Sequence, residues 1–202
     1  MEIKNKNITV ILDNGHALET PGKRSPDGKF REYKFAREVV AGIVEKLTEL
    51  DIVSIILTPE IEKDVSLSER VRRANKIYSE SGKKAILISV HVNAAGNGSA
   101  WMNGQGWQVC VAQNASSNSK RLANCLFDAA NSENLKMRKP TANQKYWIQS
   151  LAICRDTNCP AVLTENLFMD NKQDLEYLMS EEGKETIINL HVNGIINYLN
   201  DK

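Results

Sequence analysis

Short apolar runs alternate along this chain with longer stretches in which apolar residues recur every three or four positions. The runs have the length of β-strands, and the longer stretches have the period of helices that bury one face. The predicted strands are residues 8–12, 53–57, 85–90, 107–112, 151–154 and 161–164. The predicted helices are residues 31–50, 117–131, 181–200 and the stretch from the capping box at Ser66–Glu69 to Gly82. This alternation indicates an α/β fold in three layers, with a mostly parallel, twisted sheet of about six strands and helices on both of its faces.

Composition is typical of a globular protein with one domain. The 202 residues are 42% hydrophobic, which is enough for a sizeable core. No internal repeat or long linker divides the sequence, so we expect residues 1–202 to form a single domain. The formal net charge of +1 gives no reason to expect a nucleic acid as partner. No apolar stretch is long enough for membrane insertion.

The cysteines do not have the spacing of a thiolate metal site. None of them belongs to a Cys-x-x-Cys pair, and the pattern around them is that of strands or helices for Cys110, Cys125 and Cys154, with Cys159 next to a proline. We therefore expect buried, reduced thiols.

Three of the predicted strands lead directly into a histidine or a glutamate. These residues are His16, His91 and Glu165. In an open parallel sheet, the carboxyl ends of the strands line the ligand crevice. If the three strands are neighbours, two imidazoles and a carboxylate meet at one edge of the sheet. This combination indicates a metal-assisted hydrolase.

A hydrolytic zinc site usually has three protein ligands, so a third ligand is needed. The remaining histidine, His191, lies on the apolar face of the last predicted helix, and we interpret it as a core residue. The best candidate is then the carboxylate of Glu32, with Glu19, Asp27 and Glu38 as rivals. The alternative for Glu32 is a structural role, because an acidic residue in a first helical turn is favoured by the helix dipole alone.

Glu165 lies between the apolar segments 161–163 and 167–168. A carboxylate among apolar neighbours has a raised pKa unless it is paired, which suits a general base that later returns its proton. The alternative is a buried structural ion pair, with Arg155 as the partner.

Several segments, in order along the chain, match the motifs of a known enzyme family. Asp13–His16 (Asp-Asn-Gly-His) resembles an opening Asp-x-Gly-His motif, and Glu32 follows it at the head of a long helix. Ser89–Ala94 is similar to a Ser-x-His-x-Asn-Ala segment, and Val65–Val71 is similar to the helix that precedes it. Pro160–Glu165 resembles a closing glutamate motif. The chain thus resembles the zinc-dependent N-acetylmuramoyl-L-alanine amidases, cell-wall hydrolases of bacterial autolysins and phage endolysins.

This resemblance implies the metal ligands, the catalytic base, the domain organisation and the reaction. It implies that Zn²⁺ is bound by His16, Glu32 and His91, and that Glu165 is the catalytic base. It implies a single catalytic amidase domain over residues 1–202. The reaction would be hydrolysis of the amide between N-acetylmuramic acid and L-alanine, with peptidoglycan or a muropeptide as substrate.

The stem peptides of such substrates carry free carboxylates, so cations beside the cleft are expected. Arg155, Arg138 and Lys145 are candidates, and ordinary surface charge is the alternative for each of them. Asn93, in the second histidine motif, is a further candidate for substrate binding.

Two other functions agree with the same residues. The zinc ligands suit a carboxypeptidase or endopeptidase that acts on stem peptides, and the fold suits a wall-binding module without catalysis. We expect a monomer. The N-terminus shows no apolar signal segment before the first strand, so we expect a cytoplasmic protein or one that reaches the wall by lysis or export.

Overall fold

Six strands form one sheet in this protein, which we describe from a computed structural model covering residues 3–201. The strands are β1 (Thr9–Asn14), β2 (Ser54–Ile56), β3 (Ala85–Asn93), β4 (Gln108–Val111), β5 (Trp147–Ile148) and β6 (Ala161–Phe168). They lie in the order β2-β1-β3-β6-β4-β5, and every neighbouring pair is parallel except β4 and β6. The predicted mostly parallel sheet is confirmed, with β1, β3 and β6 as direct neighbours.

Within residues 3–201, six helices cover the two faces of the sheet. They are α1 (Glu32–Glu49), α2 (Leu67–Glu80), α3 (Ser117–Ser132), α4 (Ala152–Arg155), α5 (Lys172–Met179) and α6 (Glu181–Asn200). The larger core lies between the sheet and α1, α3, α5 and α6, and the smaller core lies between the sheet and α2 and α4. The predicted three-layer α/β architecture is therefore confirmed.

Alternation along the strands decides which side chains can reach a common site. In β3, Ile86 and Ile88 belong to the larger core, whereas Leu87 belongs to the smaller one. Successive side chains of a strand point to opposite faces. His91 and, in β6, Glu165 are therefore on the face of the smaller core. Only α2 and the single turn of α4 cover that face among the described residues, which leaves the ends of the strands open.

One predicted element was wrong and two were missed. Residues 151–154 were predicted as a strand, but α4 (Ala152–Arg155) occupies this segment. A short apolar run carries no period that separates a strand from a helical turn, so local sequence could not decide this case. The two-residue strand β5 and the eight-residue helix α5 are too short to leave a clear pattern.

The state of the cysteines and the length of the helices can also be compared with the predictions. All four cysteines are free: Cys110, Cys154 and Cys159 are buried, and Cys125 is half-buried. Among the described residues, no helix has the length and apolar character needed to cross a bilayer.

Candidate active site

His16, Glu32 and His91 come together at the carboxyl ends of β1 and β3. One donor atom of each residue lies within 4.8 Å of a donor atom of the others. Glu32 Oε1 is 3.0 Å from His91 Nδ1 and 3.6 Å from His16 Nε2. The two imidazole rings meet edge to face, with their centroids 5.0 Å apart. Three side chains that are up to 75 positions apart in sequence (16 to 91) therefore share one small volume.

The backbone of His16 is held in an uncommon conformation. Its φ of 58° lies in the left-handed region, which costs a residue other than glycine on the order of 1 kcal/mol or more. The guanidinium of Arg37, in α1, donates a hydrogen bond to the His16 carbonyl oxygen at 2.9 Å. Asp64 Oδ2 lies 3.7 Å from the other ring nitrogen, His16 Nδ1. These contacts hold His16 Nε2 toward Glu32.

Gly15 is required by the close approach of β1 to His91. A Cβ atom at this position would lie 2.7 Å from His91 Nδ1 and 2.8 Å from the Val90 carbonyl oxygen. The Gly15 amide donates a hydrogen bond to that same carbonyl oxygen at 3.0 Å. The glycine of the Asp-x-Gly-His motif thus lets the two histidine-bearing segments touch.

Glu32 is buried and anionic. Only 1% of its surface is exposed, and its Oε1 accepts a hydrogen bond from the Val92 amide at 3.0 Å as well as contacting His91. Burial opposes the charge, but the hydrogen bond from His91 and the charge of His91 lower the pKa of Glu32 below its ordinary value. Its second oxygen, Oε2, is buried without a hydrogen-bond partner in the described structure.

The rival carboxylates engage other partners. Glu19 accepts a hydrogen bond from the Asp64 amide, Asp27 from Ser25, and Glu38 pairs with Lys184. Among the described residues, the His16–Glu32–His91 group is the one whose arrangement suits a metal ion.

The two site histidines differ in their ionisation. Burial lowers the pKa of His16 to about 4, although Glu32 partly opposes this effect. Burial also disfavours the charged form of His91, but the hydrogen bond and charge of Glu32 outweigh it and raise the pKa of His91. At neutral pH, His16 is therefore neutral and offers a lone pair to a metal ion.

Glu165 stands beside this group. It is the register partner of His91 in the parallel β3–β6 pair, so the two side chains leave the sheet side by side on the same face. Burial raises the pKa of Glu165 to about 7; the charge of His91 opposes this shift and that of Glu32 adds to it. Glu165 Oε2 is buried without a partner in the described structure. The alternative ion pair is not formed, because Arg155 pairs with Asp156 at 2.7 Å.

A β-bulge follows Glu165. His91 pairs with Glu165 but Asn93 pairs with Phe168, so β6 carries one extra residue there, and Leu167 has a φ of 65°. The side chain of Asn166 donates a hydrogen bond to the His91 carbonyl oxygen at 2.8 Å. The bulge and Asn166 together orient the end of β6 against His91. Sequence reasoning missed this role of Asn166, whose position next to the glutamate was the available signal.

A buried ion pair between α2 and β1 stabilises the segment that leads to His16. Sequence reasoning missed this ion pair too. Arg70, in α2, donates to Asp13 Oδ1 at 2.5 Å and to the Asn14 carbonyl oxygen at 2.6 Å. Asp13 Oδ2 accepts a hydrogen bond from Ser89 Oγ at 2.6 Å. Asp13 therefore ties β1 to β3 and α2, three residues before His16. Its place in the Asp-x-Gly-His motif was the signal.

Two cavities flank the site. A cavity of about 570 Å³ is bounded by His16, His91 and apolar side chains such as Leu151. A second cavity of about 290 Å³ is lined by Glu165 and Arg138. The site thus lies between two openings large enough to receive parts of a substrate on either side.

The four candidate substrate residues are placed differently. Asn93 and Arg138 line the smaller cavity together with Glu165, and Arg155 lines the larger one. Lys145 borders neither cavity, and its ammonium group contacts both oxygens of Asp128, at 2.6 and 2.7 Å.

Comparisons with known proteins point to one family. A family model described as N-acetylmuramoyl-L-alanine amidase matches residues 10–197. The chain is 27% identical over 193 residues to an endolysin of Bacillus phage SPP1, covering 96% of this chain and 66% of that protein. It is also 27% identical over 199 residues to the N-acetylmuramoyl-L-alanine amidase CwlM of Bacillus licheniformis, covering 96% of this chain and 69% of that protein. The chain therefore spans about two thirds of the length of these curated relatives.

The fold is similar to that of solved structures as well. The crystal structure of an N-acetylmuramoyl-L-alanine amidase from Clostridium difficile 630 matches with a TM-score of 0.82 and 22% identity, covering 96% of this chain and 98% of that one. This likeness extends over almost all of the six-stranded sheet and its helices.

Proposed function

The chain belongs to the N-acetylmuramoyl-L-alanine amidase family, and we propose from this that it hydrolyses the amide between the lactyl group of N-acetylmuramic acid and L-alanine in peptidoglycan. The observation that carries the proposal is the buried His16–Glu32–His91 group with Glu165 beside it. A binding module or a structural protein has no need of a base next to a metal site.

The residues present fit a zinc ion. Two imidazole nitrogens and one carboxylate form the donor set of many hydrolytic zinc sites, in which a further position stays open. Glu32 Oε2 is buried without a partner in the described structure, which is costly for a charged oxygen that has no ligand. A zinc ion at this group would supply Lewis acidity toward the scissile carbonyl and toward water.

Glu165 would move the proton in this reaction. Its carboxylate accepts a proton from the attacking water as the new carbon–oxygen bond forms, and donates it to the L-alanine nitrogen as the carbon–nitrogen bond breaks. The products are a free lactyl carboxyl group and a free peptide amine. A pKa of about 7, raised by burial, suits a group that must both accept and release a proton near neutral pH. The register with His91 supports this role, because it keeps the carboxylate beside one of the proposed metal ligands.

The test compares three glutamate-to-glutamine variants. We expect Glu165→Gln to keep one zinc ion per chain by elemental analysis but to release stem peptide from purified sacculi at least ~100-fold more slowly, because the proton acceptor is lost. Glu32→Gln should lose the zinc ion as well as the activity. The control is Glu176→Gln, which changes an exposed residue of α5 and should retain both properties. Normal wall digestion by Glu165→Gln would overturn the assigned base.

Mass spectrometry of the products distinguishes the amidase from the alternatives. A new amino terminus at L-alanine supports the proposal. Loss of a terminal D-amino acid, or a cut within the stem peptide, would replace it with a peptidase. Binding to sacculi without any released peptide, in the presence of zinc, would replace it with a wall-binding module.

A further inference from the structure

We propose that Arg138 anchors a carboxylate of the peptide part of the substrate, on the residue that follows L-alanine, and so makes the enzyme selective for stem peptides that are anionic at this position. This assignment rests on the amidase function proposed above. Arg138 would then determine substrate specificity, whereas His16, Glu32, His91 and Glu165 would carry out the reaction.

Arg138 is held rigidly at the wall of the smaller cavity. Its backbone amide donates a hydrogen bond to the Trp107 carbonyl oxygen at 2.8 Å, which fixes it to the segment that leads into β4. Its side-chain Nε donates to Gln108 Oε1 at 3.0 Å, and its guanidinium carbon lies 4.8 Å from the centre of the Phe168 ring. A long side chain held by two contacts, on a backbone that is itself hydrogen-bonded, loses little further entropy when a ligand binds.

The contacts of Arg138 connect it to the catalytic carboxylate. Gln108 is only 4% exposed, and it is the register partner of Glu165 in the antiparallel β4–β6 pair. Side chains directly opposite in such a pair leave the sheet on the same face, close to each other. Arg138, Gln108 and Glu165 accordingly line one cavity of about 290 Å³.

The terminal nitrogens of Arg138 have no partner among residues 3–201, because only Nε forms a side-chain hydrogen bond and the guanidinium joins no ion pair. Asp174, a carboxylate near Phe168, uses its Oδ2 to accept from the Gly106 and Phe168 amides, at 2.8 and 3.0 Å. The other two candidate cations differ: Arg155 is paired with Asp156, and Lys145 with Asp128. Arg138, which lines the cavity, therefore keeps unpaired terminal N–H groups, and a guanidinium with such free donors can bind a carboxylate in a bidentate way.

The chemistry of the substrate indicates which of its carboxylates can bind the N–H groups of Arg138. The lactyl carboxyl group of the sugar is consumed in the scissile amide, so the carboxylates lie on the peptide side. Glu165 must come within hydrogen-bond reach of the L-alanine nitrogen to protonate it, so the leaving peptide begins beside Glu165. The next residue is one Cα step of about 3.8 Å farther along the chain. A carboxylate on it would extend into the cavity that Glu165 and Arg138 share.

The test uses two disaccharide muropeptides that differ only at the residue after L-alanine, a D-glutamate linked through its side chain. In one its α-carboxylate is free, and in the other it is amidated. We expect Arg138→Gln to lower kcat/KM about 10- to 100-fold on the free carboxylate, the loss of a charge-assisted hydrogen-bond pair, mainly through KM. It should change kcat/KM less than about 2-fold on the amidated substrate, which offers no charge to bind.

Two further variants separate charge from geometry. Arg138→Lys keeps the charge and should retain part of the preference for the free carboxylate. Lys139→Gln removes a charge from the next residue, which is exposed, and should behave as the wild type on both substrates. Thermal melting of each variant checks that the fold is intact.

The possible failures are distinguishable. Equal losses on both substrates in Arg138→Gln, or no loss on either, would overturn the role of Arg138 while leaving the amidase function in place. A wild-type enzyme that released L-alanyl peptide from neither muropeptide would overturn the proposed function, and the role of Arg138 with it.

Discussion

At the scale of single residues, the geometry of the candidate active site depends on the exact positions of His16, Glu32 and Gly15. His16 adopts a left-handed backbone conformation and is held there by Arg37. Glu32 contacts both histidines through a single oxygen, Oε1. Gly15 leaves the space into which the His91 ring fits. Small displacements at any of these positions would separate the three donor atoms.

Gly15→Ala should weaken metal binding without unfolding the protein. The φ of Gly15 is not in the left-handed region, so alanine adds no φ strain. The new Cβ would lie 2.7 Å from His91 Nδ1 and 2.8 Å from the Val90 carbonyl oxygen, so the His91 segment must shift. Displacing a ligand in this way is comparable to losing its supporting contacts, which typically costs 10- to 100-fold in metal affinity. Titration calorimetry with zinc measures the effect.

The control for this prediction is Gly82→Asn. Gly82 has a left-handed φ of 66°, which asparagine tolerates, and a Cβ atom added to it would have no neighbouring atom within 4 Å. This variant should bind zinc as the wild type does. Equal zinc affinity in Gly15→Ala and the wild type would contradict the proposed role of the close approach.

At the scale of secondary-structure elements, each strand contributes side chains to both faces of the sheet. In β6, Glu165 faces the open side, whereas Thr164 faces the larger core and contacts His191 of α6 at 2.9 Å. In β1, Asp13 is bound by Arg70 of α2 just before the chain turns toward His16. Helix α2 therefore holds the end of β1 in place, although it contributes no donor atom to the metal group.

Arg70→Leu should destabilise the protein strongly. Arg70 is 4% exposed, and its removal leaves the Asp13 carboxylate buried without its ion-pair partner. Breaking a buried pair in this way typically costs about 3–5 kcal/mol in the free energy of unfolding. Arg72→Leu, which removes an exposed partner of Glu69 on the same helix, should have little effect. Guanidinium unfolding of both variants measures the difference, and similar midpoints would rule out the supporting role of Arg70.

The long elements were predictable, and so were the short strands β2 and β4, but β5, α4 and α5 were not. The apolar runs of β1, β3 and β6 and the periodic stretches of α1 and α6 were identified because each extends over several residues with one period. Residues 151–154, predicted as a strand, form most of α4, since a single turn has no period to read.

At the scale of the whole molecule, α6 is joined to the sheet by a buried histidine. His191 is fully buried, its Nδ1 donates to the Ile187 carbonyl oxygen at 2.7 Å, and its Nε2 accepts from the Thr164 hydroxyl group at 2.9 Å. Both nitrogens are satisfied by this neutral tautomer. Because the imidazole is fully buried, the core disfavours its charged form.

The contribution of His191 to stability should fall as the pH decreases from about 6.5 to about 4. Burial lowers the pKa of His191 from 6.5 to about 4, and the hydrogen bond to Ile187 opposes only part of this shift. The unfolded chain binds a proton in this window that the folded protein does not bind, so the free energy of unfolding drops, by up to about 3 kcal/mol. Above pH 6.5 this contribution is constant.

Chemical denaturation at pH 7.5 and pH 5, with the wild type and His191→Gln, isolates this contribution. The variant should be less stable than the wild type at pH 7.5, but it should lose less stability on acidification, because His16, His91 and Glu165 titrate alike in both proteins. The same loss in both proteins would show that His191 does not carry the pH dependence.

The sequence by itself determined the α/β class, the order of the long strands and helices, and the motifs that contain His16, His91 and Glu165, because these depend on neighbours a few residues apart. Only the tertiary structure decided that Glu32, rather than another acidic residue, meets both histidines. It alone placed Arg138 in the wall of the cavity of Glu165 with its terminal nitrogens unpaired among residues 3–201, while Lys145 and Arg155 are paired elsewhere. Such outcomes depend on which distant segments pack together, and no local pattern in a chain records that.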